Sequence, residues 1–259
     1  MTTLLEKGRL GQSLAEYEII DMHAHLYWSV PWGTDPGDEL VRAQDQSGVR
    51  SSVISSLTAN AFRMEMCNEV MLAAMRKHPG RLLGYVYVWP SDVKSVRKEV
   101  EKRLKQGFVG IKMLVLHGFD YTDPGYAPAF EIANERKLPA LLHTYGGQRG
   151  LADQVPGLAE KYKGVNFVLA HAGAQKVEEY IQIANMHKNT YLELCTSSAT
   201  YRAVETLVAN VPAERIVWGA DDEPLNMSHQ IGKVLGAEIP EETKLKILST
   251  NAKRLLKLT

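Results

Sequence analysis

The segment Leu82–Val115, LLGYVYVWPSDVKSVRKEVEKRLKQGFVGIKMLV, decides the fold class predicted for this chain. Two short apolar runs, Leu82–Val88 and Val109–Val115, flank the amphipathic stretch Ser91–Gln106. Ser91 stands at a typical N-cap position, and Gly107 follows a last turn that contains lysine. The pattern therefore predicts a strand, a helix and a second strand, which is the building unit of a parallel sheet.

The same alternation repeats along the chain and gives eight candidate strands. They are Glu18–Met22, Ser51–Ser56, Leu82–Val88, Val109–Val115, Pro139–His143, Asn166–Ala170, Thr190–Leu194 and Arg215–Gly219. The candidate helices are Gly37–Ser47, Asn60–His78, Ser91–Gln106, Ala127–Arg136, Leu151–Tyr162, Gln175–Met186, Ala199–Asn210, Met227–Leu235 and Glu241–Leu258. Eight such units can close into an α/β fold of the (β/α)8 (TIM) barrel type, with an open doubly wound sheet as the alternative.

Linker composition favours a single barrel domain over residues 1–259. The chain of 259 residues could form two small domains, but it also matches the roughly 250 that are typical of a (β/α)8 barrel, so length alone leaves both open. No linker rich in Pro, Gly or Ser divides it, and no internal repeat is evident. In a barrel, functional side chains are expected at the C-terminal ends of several strands, because those ends meet on one face.

Composition limits the classes of partner. The 30 basic and 30 acidic residues balance, so the overall charge gives no reason to expect a nucleic acid or an acidic membrane. Two cysteines cannot build a disulfide framework, and no stretch approaches ~18 apolar residues. We predict a cytoplasmic protein that acts on a small-molecule substrate, without nucleic-acid or membrane partners; assembly into a homo-oligomer stays open.

Potential metal ligands follow the first predicted strand. Asp21, His23 and His25 occur at every second position of IIDMHAHLY, so an extended backbone sends all three side chains to one face. Two neutral imidazoles supply half of a four-ligand zinc site. Histidines at this spacing also occur by chance on protein surfaces, so this motif alone does not decide between the two interpretations.

Three further residues recur at strand ends. His143 ends the fifth predicted strand, His171 follows the sixth and Asp221 follows the eighth. Each alone could bond a neighbouring carbonyl group or cap the next helix. Together they predict a metal site at the mouth of the barrel.

Six motifs in order resemble the amidohydrolase superfamily, specifically the amidohydrolase-2 branch that includes aminocarboxymuconate-semialdehyde decarboxylase. They are DMHAH, GIK, LLHTYGG, LAHAG, WGADDEP and NAKRLLKL, which span Asp21 to Leu258. The resemblance implies that His23, His25, His143 and Asp221 bind one divalent metal and that His171 acts on the substrate or the attacking water. The chain departs from relatives of the decarboxylase after the eighth predicted strand, where they often have Thr/Ser-Asp-Tyr/Phe-Pro and this chain has Ala220-Asp221-Asp222-Glu223-Pro224.

Other residues near the predicted mouth are candidates for substrate binding. In other branches of the superfamily a lysine at the position of Lys112 is carbamylated and bridges two metals; the other interpretations are a lysine paired with a carboxylate or one that binds a substrate anion. We favour one metal, with zinc expected and Mn²⁺ or Fe²⁺ as alternatives. Arg149 could bind a carboxylate, and Trp28 could line an apolar pocket.

The predicted chemistry is metal-dependent hydrolysis of a small amide, ester or lactone. Asp221 would take a proton from the attacking water, and Asp21 would orient a ligating histidine as its hydrogen-bond partner. Non-oxidative decarboxylation of a small carboxylic acid is the second hypothesis, since the same residues could support it. A non-catalytic metal-binding protein is the third, although His171 and Lys112 exceed what a structural zinc site needs.

Overall fold

The computed structural model describes residues 2–26, 37–56, 63–114, 118–144, 151–172, 174, 176–196, 201–222 and 224–258. Eight strands are present in this part of the chain. They are β1 Ile19–Leu26, β2 Val49–Ser56, β3 Leu82–Tyr87, β4 Gly110–Met113, β5 Pro139–Leu142, β6 Asn166–Leu169, β7 Thr190–Glu193 and β8 Ile216–Val217. Each pairs in parallel with its neighbours in sequence order.

Backbone contacts between the first and last strands bring the sheet close to closure. Met22 N donates to the carbonyl oxygen of Trp218 at 3.0 Å, and Asp221 N donates to that of His23 at 2.6 Å. A parallel bridge also joins Ala24 to Asp222. This order and closure confirm the predicted (β/α)8 barrel, and the open doubly wound alternative is wrong.

Helices alternate with the strands. In chain order they are Leu4–Arg9, Asp38–Ser47, Met64–Lys77, Val93–Lys105, Ala127–Arg136, Leu151–Lys161, Val177–Met186, Ala203–Asn210, Met227–Gly236, Glu241–Leu245 and Asn251–Leu256. The first of these was not predicted. The predicted starts at Asn60, Gln175 and Ala199 lie outside the described residues. A π-helical turn, Lys246–Thr250, interrupts the predicted helix Glu241–Leu258.

The barrel interior is a packed core. Aliphatic side chains from five strands form an inner cluster, with Leu255 and Leu256 of the last helix packed against it. The strand residues are Ile20, Val53, Leu141, Val168 and Val217. A second and larger apolar cluster includes residues of both strands and helices, such as Ile111 and Phe130. Polar side chains buried among the strands therefore stand out, because burying them is costly unless they are paired.

The start of helix Val93–Lys105 corrects the predicted cap. Asp92, and not Ser91, is the N-cap residue, since its Oδ1 accepts hydrogen bonds from Lys94 N and Ser95 N, both at 3.0 Å. We expect Asp92→Ala to lower the free energy of unfolding by ~0.5–2 kcal/mol. Ser91→Ala should change it by less than about 0.5 kcal/mol. Urea denaturation of both variants checks this, and equal effects would contradict the assignment.

None of the described helices is long and apolar enough to cross a membrane. That residues 1–259 form one domain, and that the protein resides in the cytoplasm, both stay predictions.

Candidate metal centre

The two histidines of the first strand point their Nε2 atoms at each other. These atoms lie 3.1 Å apart, between His23 and His25, and both side chains are buried. The Nδ1 atom of His23 is 3.0 Å from Glu193 Oε2, and that of His25 is 3.2 Å from the carbonyl oxygen of Ser55. An ionised Glu193 can only accept, so it favours the imidazole proton on Nδ1 and a lone pair on Nε2 of His23. At His25 the Ser55 hydroxyl oxygen also lies 3.0 Å from Nδ1.

Asp221 adds a third acceptor to this pair. Its Oδ1 lies 3.1 Å from His25 Nε2 and 3.5 Å from His23 Nε2. The backbone at Asp221 has a φ of 53°, in the left-handed region that costs energy for a residue other than glycine. The bond from Asp221 N to His23 O fixes this turn.

The donor set fits a divalent cation. Three electron-pair donors, from His23, His25 and Asp221, converge within 4.8 Å of one another. Facing lone pairs repel unless a positive charge lies between them, and two imidazoles with a carboxylate match the ligands that zinc takes. The strand-end pattern in the sequence thus led to residues that the structure brings together.

Among the described residues, Lys112 is the one cationic side chain that contacts the acceptor atoms of His23, His25 and Asp221. It is buried on β4, and its Nζ lies 2.8 Å from His23 Nε2. Burial lowers its pKa to about 8, although Asp221 acts in the opposite direction. A protonated Lys112 and a bound metal would use the same lone pair of His23, so we expect metal binding to displace this contact.

His143 and His171 lie beside the three convergent residues. His143 Nδ1 is 3.1 Å from His171 Nε2, and their rings meet edge to face with centroids 4.7 Å apart. His171 Nδ1 lies 3.1 Å from the carbonyl oxygen of Cys195, and its φ is 63°. His143 is not in the close group formed by His23, His25 and Asp221. Its predicted role as fourth ligand therefore stays a prediction.

Sequence reasoning missed Glu193. Glu193 and Cys195 lie at and just beyond the end of β7 and are completely buried. Cys195 Sγ donates to Glu193 Oε2 at 2.8 Å and lies 3.1 Å from His23 Nδ1 and 3.3 Å from His171 Nδ1. The signal was available, because an acidic residue in the apolar run TYLELC occupies the same strand-end position as the histidines.

Asp21 does not have the predicted contact. Its Oδ1 accepts hydrogen bonds from the backbone N–H groups of His23 and Ala220, both at 2.9 Å. The imidazole of His23 is bonded instead to Glu193. Asp21 therefore holds the backbones of β1 and the segment after β8 together, and its predicted role as partner of a ligating side chain is corrected.

A profile of the amidohydrolase family matches residues 20–258. The chain belongs to the amidohydrolase family. This match spans the motifs that carry the resemblance seen in the sequence, from the strand-one histidines to the C-terminal helix. No curated protein sequence matches this amidohydrolase.

Solved structures with the same fold are distant in sequence. A 5-carboxyvanillate decarboxylase from Novosphingobium aromaticivorans, complexed with manganese, is 14% identical with a TM-score of 0.76, covering 96% of this chain and 99% of that one. A 2,6-dihydroxybenzoate decarboxylase from Rhizobium is 17% identical with a TM-score of 0.72, covering 93% and 98%. A 4-oxalomesaconate hydratase from Rhodopseudomonas palustris is 17% identical with a TM-score of 0.71, covering 92% and 95%.

Two predicted substrate-binding residues, Trp28 and Arg149, lie outside the described residues of this amidohydrolase. Lys112 is described, and it lies at the candidate metal centre. Its role towards substrate stays a prediction.

The buried imidazole of His171 predicts a pH dependence of stability. Burial lowers its pKa to about 4, against roughly 6.5 in the unfolded chain. Between these values the unfolded chain binds the extra proton, so this group's contribution to the free energy of unfolding is lost as pH falls from about 6.5 to about 4. In chelator-treated protein, we expect His171→Asn to reduce the slope of unfolding free energy against pH by up to about 1.4 kcal/mol per pH unit in this range.

Urea denaturation of wild type and His171→Asn at several pH values between 5 and 8 measures the difference. The two curves of unfolding free energy against pH should converge towards low pH and run parallel above neutrality. Curves that stay parallel throughout would show that His171 titrates normally in the folded state.

Proposed function

We propose that this chain is a metal-dependent hydrolase that cleaves a small-molecule amide, ester or lactone. The observation that carries the proposal is the convergence of His23 Nε2, His25 Nε2 and Asp221 Oδ1 at the end of the barrel where β1 and β8 meet. Because catalysis in (β/α)8 barrels takes place at the C-terminal ends of the strands, this is the expected place for an active site.

The metal would be held by His23, His25 and Asp221, with His143 as the predicted fourth ligand. Zinc is the expected ion, with Mn²⁺ or Fe²⁺ as alternatives, because imidazole and carboxylate ligands suit all three. A second ion bound through a carbamylated Lys112 is the less favoured arrangement. When bound, such a cation would supply Lewis acidity, which lowers the pKa of a coordinated water to about 7.

Asp221 is the group that would accept the proton from the attacking water. Burial alone would raise the pKa of its carboxyl group, but the neighbouring imidazoles of His23, His25 and His171 hold that pKa well below its usual range. The carboxylate is therefore ionised at neutral pH, as a group that accepts a proton must be.

His171 and Lys112 would act on the substrate. The Nε2 edge of His171 faces His143, so it lies next to the predicted metal ligands, where the lone pair of its neutral imidazole would accept a hydrogen bond from water and orient it. The Lys112 ammonium, released from His23 when the metal binds, could hold an anionic oxygen of the substrate.

Decarboxylation is the second candidate. Two of the structural neighbours described above are decarboxylases of hydroxylated benzoates. A buried cation such as Lys112 beside the metal site could hold a carboxylate, which supports this alternative. A non-catalytic metal-binding protein is less favoured, because Lys112 and His171 are not needed to close a structural site.

Chelation and product analysis test these functions together. Protein stripped with a chelator is reloaded with Zn²⁺, Mn²⁺ or Fe²⁺ and assayed against esters, lactones and amides, and against 2,6-dihydroxybenzoate and 5-carboxyvanillate. Hydrolysis that is lost on stripping and restored by metal supports the proposal. Release of carbon dioxide as the only metal-dependent reaction would replace it with decarboxylation, and turnover indifferent to chelation would overturn both.

A further inference from the structure

Glu193 is a buried carboxylate to which neither the family resemblance nor the proposed mechanism gives a role. Its side chain has no exposed surface. Both oxygens accept hydrogen bonds, Oε1 from Cys195 N at 2.5 Å and Oε2 from Cys195 Sγ at 2.8 Å and His23 Nδ1 at 3.0 Å. Burying a carboxylate is costly unless it is well paired, and here the His23 imidazole is one of the donors that pair it.

We propose that Glu193 is a positioning residue that holds His23 in the tautomer whose Nε2 lone pair faces His25 and Asp221. The inference rests on the proposed metal-dependent function. Glu193 on β7 would thus orient His23, a predicted metal ligand on β1.

The physical basis is the single proton of a neutral imidazole. An ionised carboxylate at Nδ1 can only accept, so it keeps that proton on Nδ1 and leaves Nε2 free to bind a cation. Carboxylate partners of metal-bound histidines work in this way, and their removal lowers metal affinity by about 10–100-fold. At His25 Nδ1 the partners are instead the carbonyl oxygen of Ser55 at 3.2 Å and its hydroxyl oxygen at 3.0 Å.

Gly219 gives an independent indication that the Glu193–His23 contact is built into the barrel. A Cβ atom at position 219 would lie 2.5 Å from Glu193 Oε1 and 2.6 Å from His23 Cβ. Any side chain there would therefore push the carboxylate and the imidazole from their present positions. The absence of a side chain just beyond β8 lets strands β1 and β7 bring these two groups together.

Glutamine at position 193 tests the role of the second acceptor oxygen. Cys195 N and His23 Nδ1 each donate to a different oxygen of Glu193, whereas a glutamine amide has one acceptor oxygen and one NH₂ donor. In Glu193→Gln one of the two donors must lose its acceptor. The backbone N–H group of Cys195 cannot move its proton, whereas the imidazole can, so the NH₂ group is expected to face His23. The imidazole proton then moves to Nε2, where it blocks the metal.

The experiment is a Co²⁺ titration of full-length, chelator-stripped protein, followed by absorption of the bound ion and by competition with a chelator of known affinity. We expect Glu193→Gln to bind Co²⁺ about 10–100-fold more weakly than wild type. Glu193→Asp, which keeps a carboxylate, should lose less. Gly219→Ala should also weaken binding, because its methyl group displaces the pair.

Two matched variants separate positioning from general damage to the fold. Cys195→Ser keeps a donor to Glu193 and should bind Co²⁺ nearly as well as wild type. Glu99→Gln removes another buried carboxylate, whose hydrogen-bond partners are Asn68 and Arg103. It should lower stability without weakening Co²⁺ binding.

Equal Co²⁺ affinity of Glu193→Gln and wild type would overturn the proposal and leave the metal-dependent function standing. No Co²⁺ binding by wild type would instead overturn the proposed function.

Two spectroscopic measurements test the proposal on the wild-type protein, so they do not depend on whether a variant folds. In the stripped protein, ¹⁵N NMR of the imidazoles should show His23 protonated at Nδ1, and protonation at Nε2 would contradict the proposal. In the Co²⁺ form we expect no thiolate-to-cobalt charge-transfer band. Such a band would place the cation on the Nδ1 side of His23, in contact with Cys195, and would overturn the positioning role.

Discussion

Replacing Asp221 with asparagine is expected to lower turnover by about 10²–10⁴-fold, the range typical of losing a general base. The amide is close in size to the carboxylate, but it carries no charge and cannot accept the proton from the attacking water. Because Asp221 Oδ1 also faces His23 and His25, some loss of metal affinity should accompany the loss of turnover. Steady-state rates at saturating metal, with the substrate found by the panel above, separate the two effects.

Asp222→Asn is the matched control for this variant. Asp222 is the next residue, and its Oδ2 accepts a hydrogen bond from Met227 N at 3.1 Å, at the start of helix Met227–Gly236. An asparagine there still offers an acceptor, so turnover should change far less than in Asp221→Asn. Near-normal turnover of Asp221→Asn at saturating metal would contradict the assignment of Asp221 as the base.

His23→Ala is expected to have the second large effect, on metal binding itself. His23 Nε2 is the atom that contacts His25, Asp221 and Lys112. Its removal takes away a direct ligand, so the loss of affinity should exceed the roughly 100-fold upper end for partners that act through a ligand. Titration of stripped protein with Zn²⁺ against a competing chelator measures it.

His229→Ala provides the comparison for His23→Ala. His229 is exposed on helix Met227–Gly236, whereas His23 is buried. Its loss should leave Zn²⁺ affinity unchanged. If the His23 and His229 variants bound zinc equally well, the candidate centre would not be where the metal binds.

The fold was predictable from sequence because its signals are local. Short apolar runs separated by amphipathic stretches specify strands and helices, and their count is compatible with a closed barrel. Boundaries were less accurate. The first strand was predicted to end at Met22 but continues to Leu26, because pairing with β2 extends past the polar residues His23 and His25.

The sequence indicated which residues lie at the candidate site but not which of them are hydrogen-bonded to each other. His23, His25 and Asp221 could be grouped because residues at strand ends share one face of a barrel. The partner of His23 could not be chosen from sequence, since Asp21 and Glu193 are both acids close to strand ends. Only the three-dimensional structure shows that Asp21 bonds backbone N–H groups while Glu193 reaches the imidazole.

The place of Lys112 also depends on packing between distant strands. Its sequence context, GIKM, predicts a strand, which the structure shows to be buried. The sequence does not indicate which side chain from another strand contacts Lys112. The 2.8 Å contact with His23 comes from β4 and β1, which are not neighbours in the sheet. Sequence reasoning could therefore place Lys112 near the mouth but could not identify its partner.

A crystal structure of the zinc-loaded protein, with the ion located by its anomalous scattering, would show which side chains bind the metal. We expect one ion bonded to His23 Nε2 and His25 Nε2 at about 2.0–2.1 Å and to an oxygen of Asp221 at about 2.0–2.2 Å, with Lys112 moved away from His23. An ion bound elsewhere, or no ion in the presence of excess zinc, would contradict it.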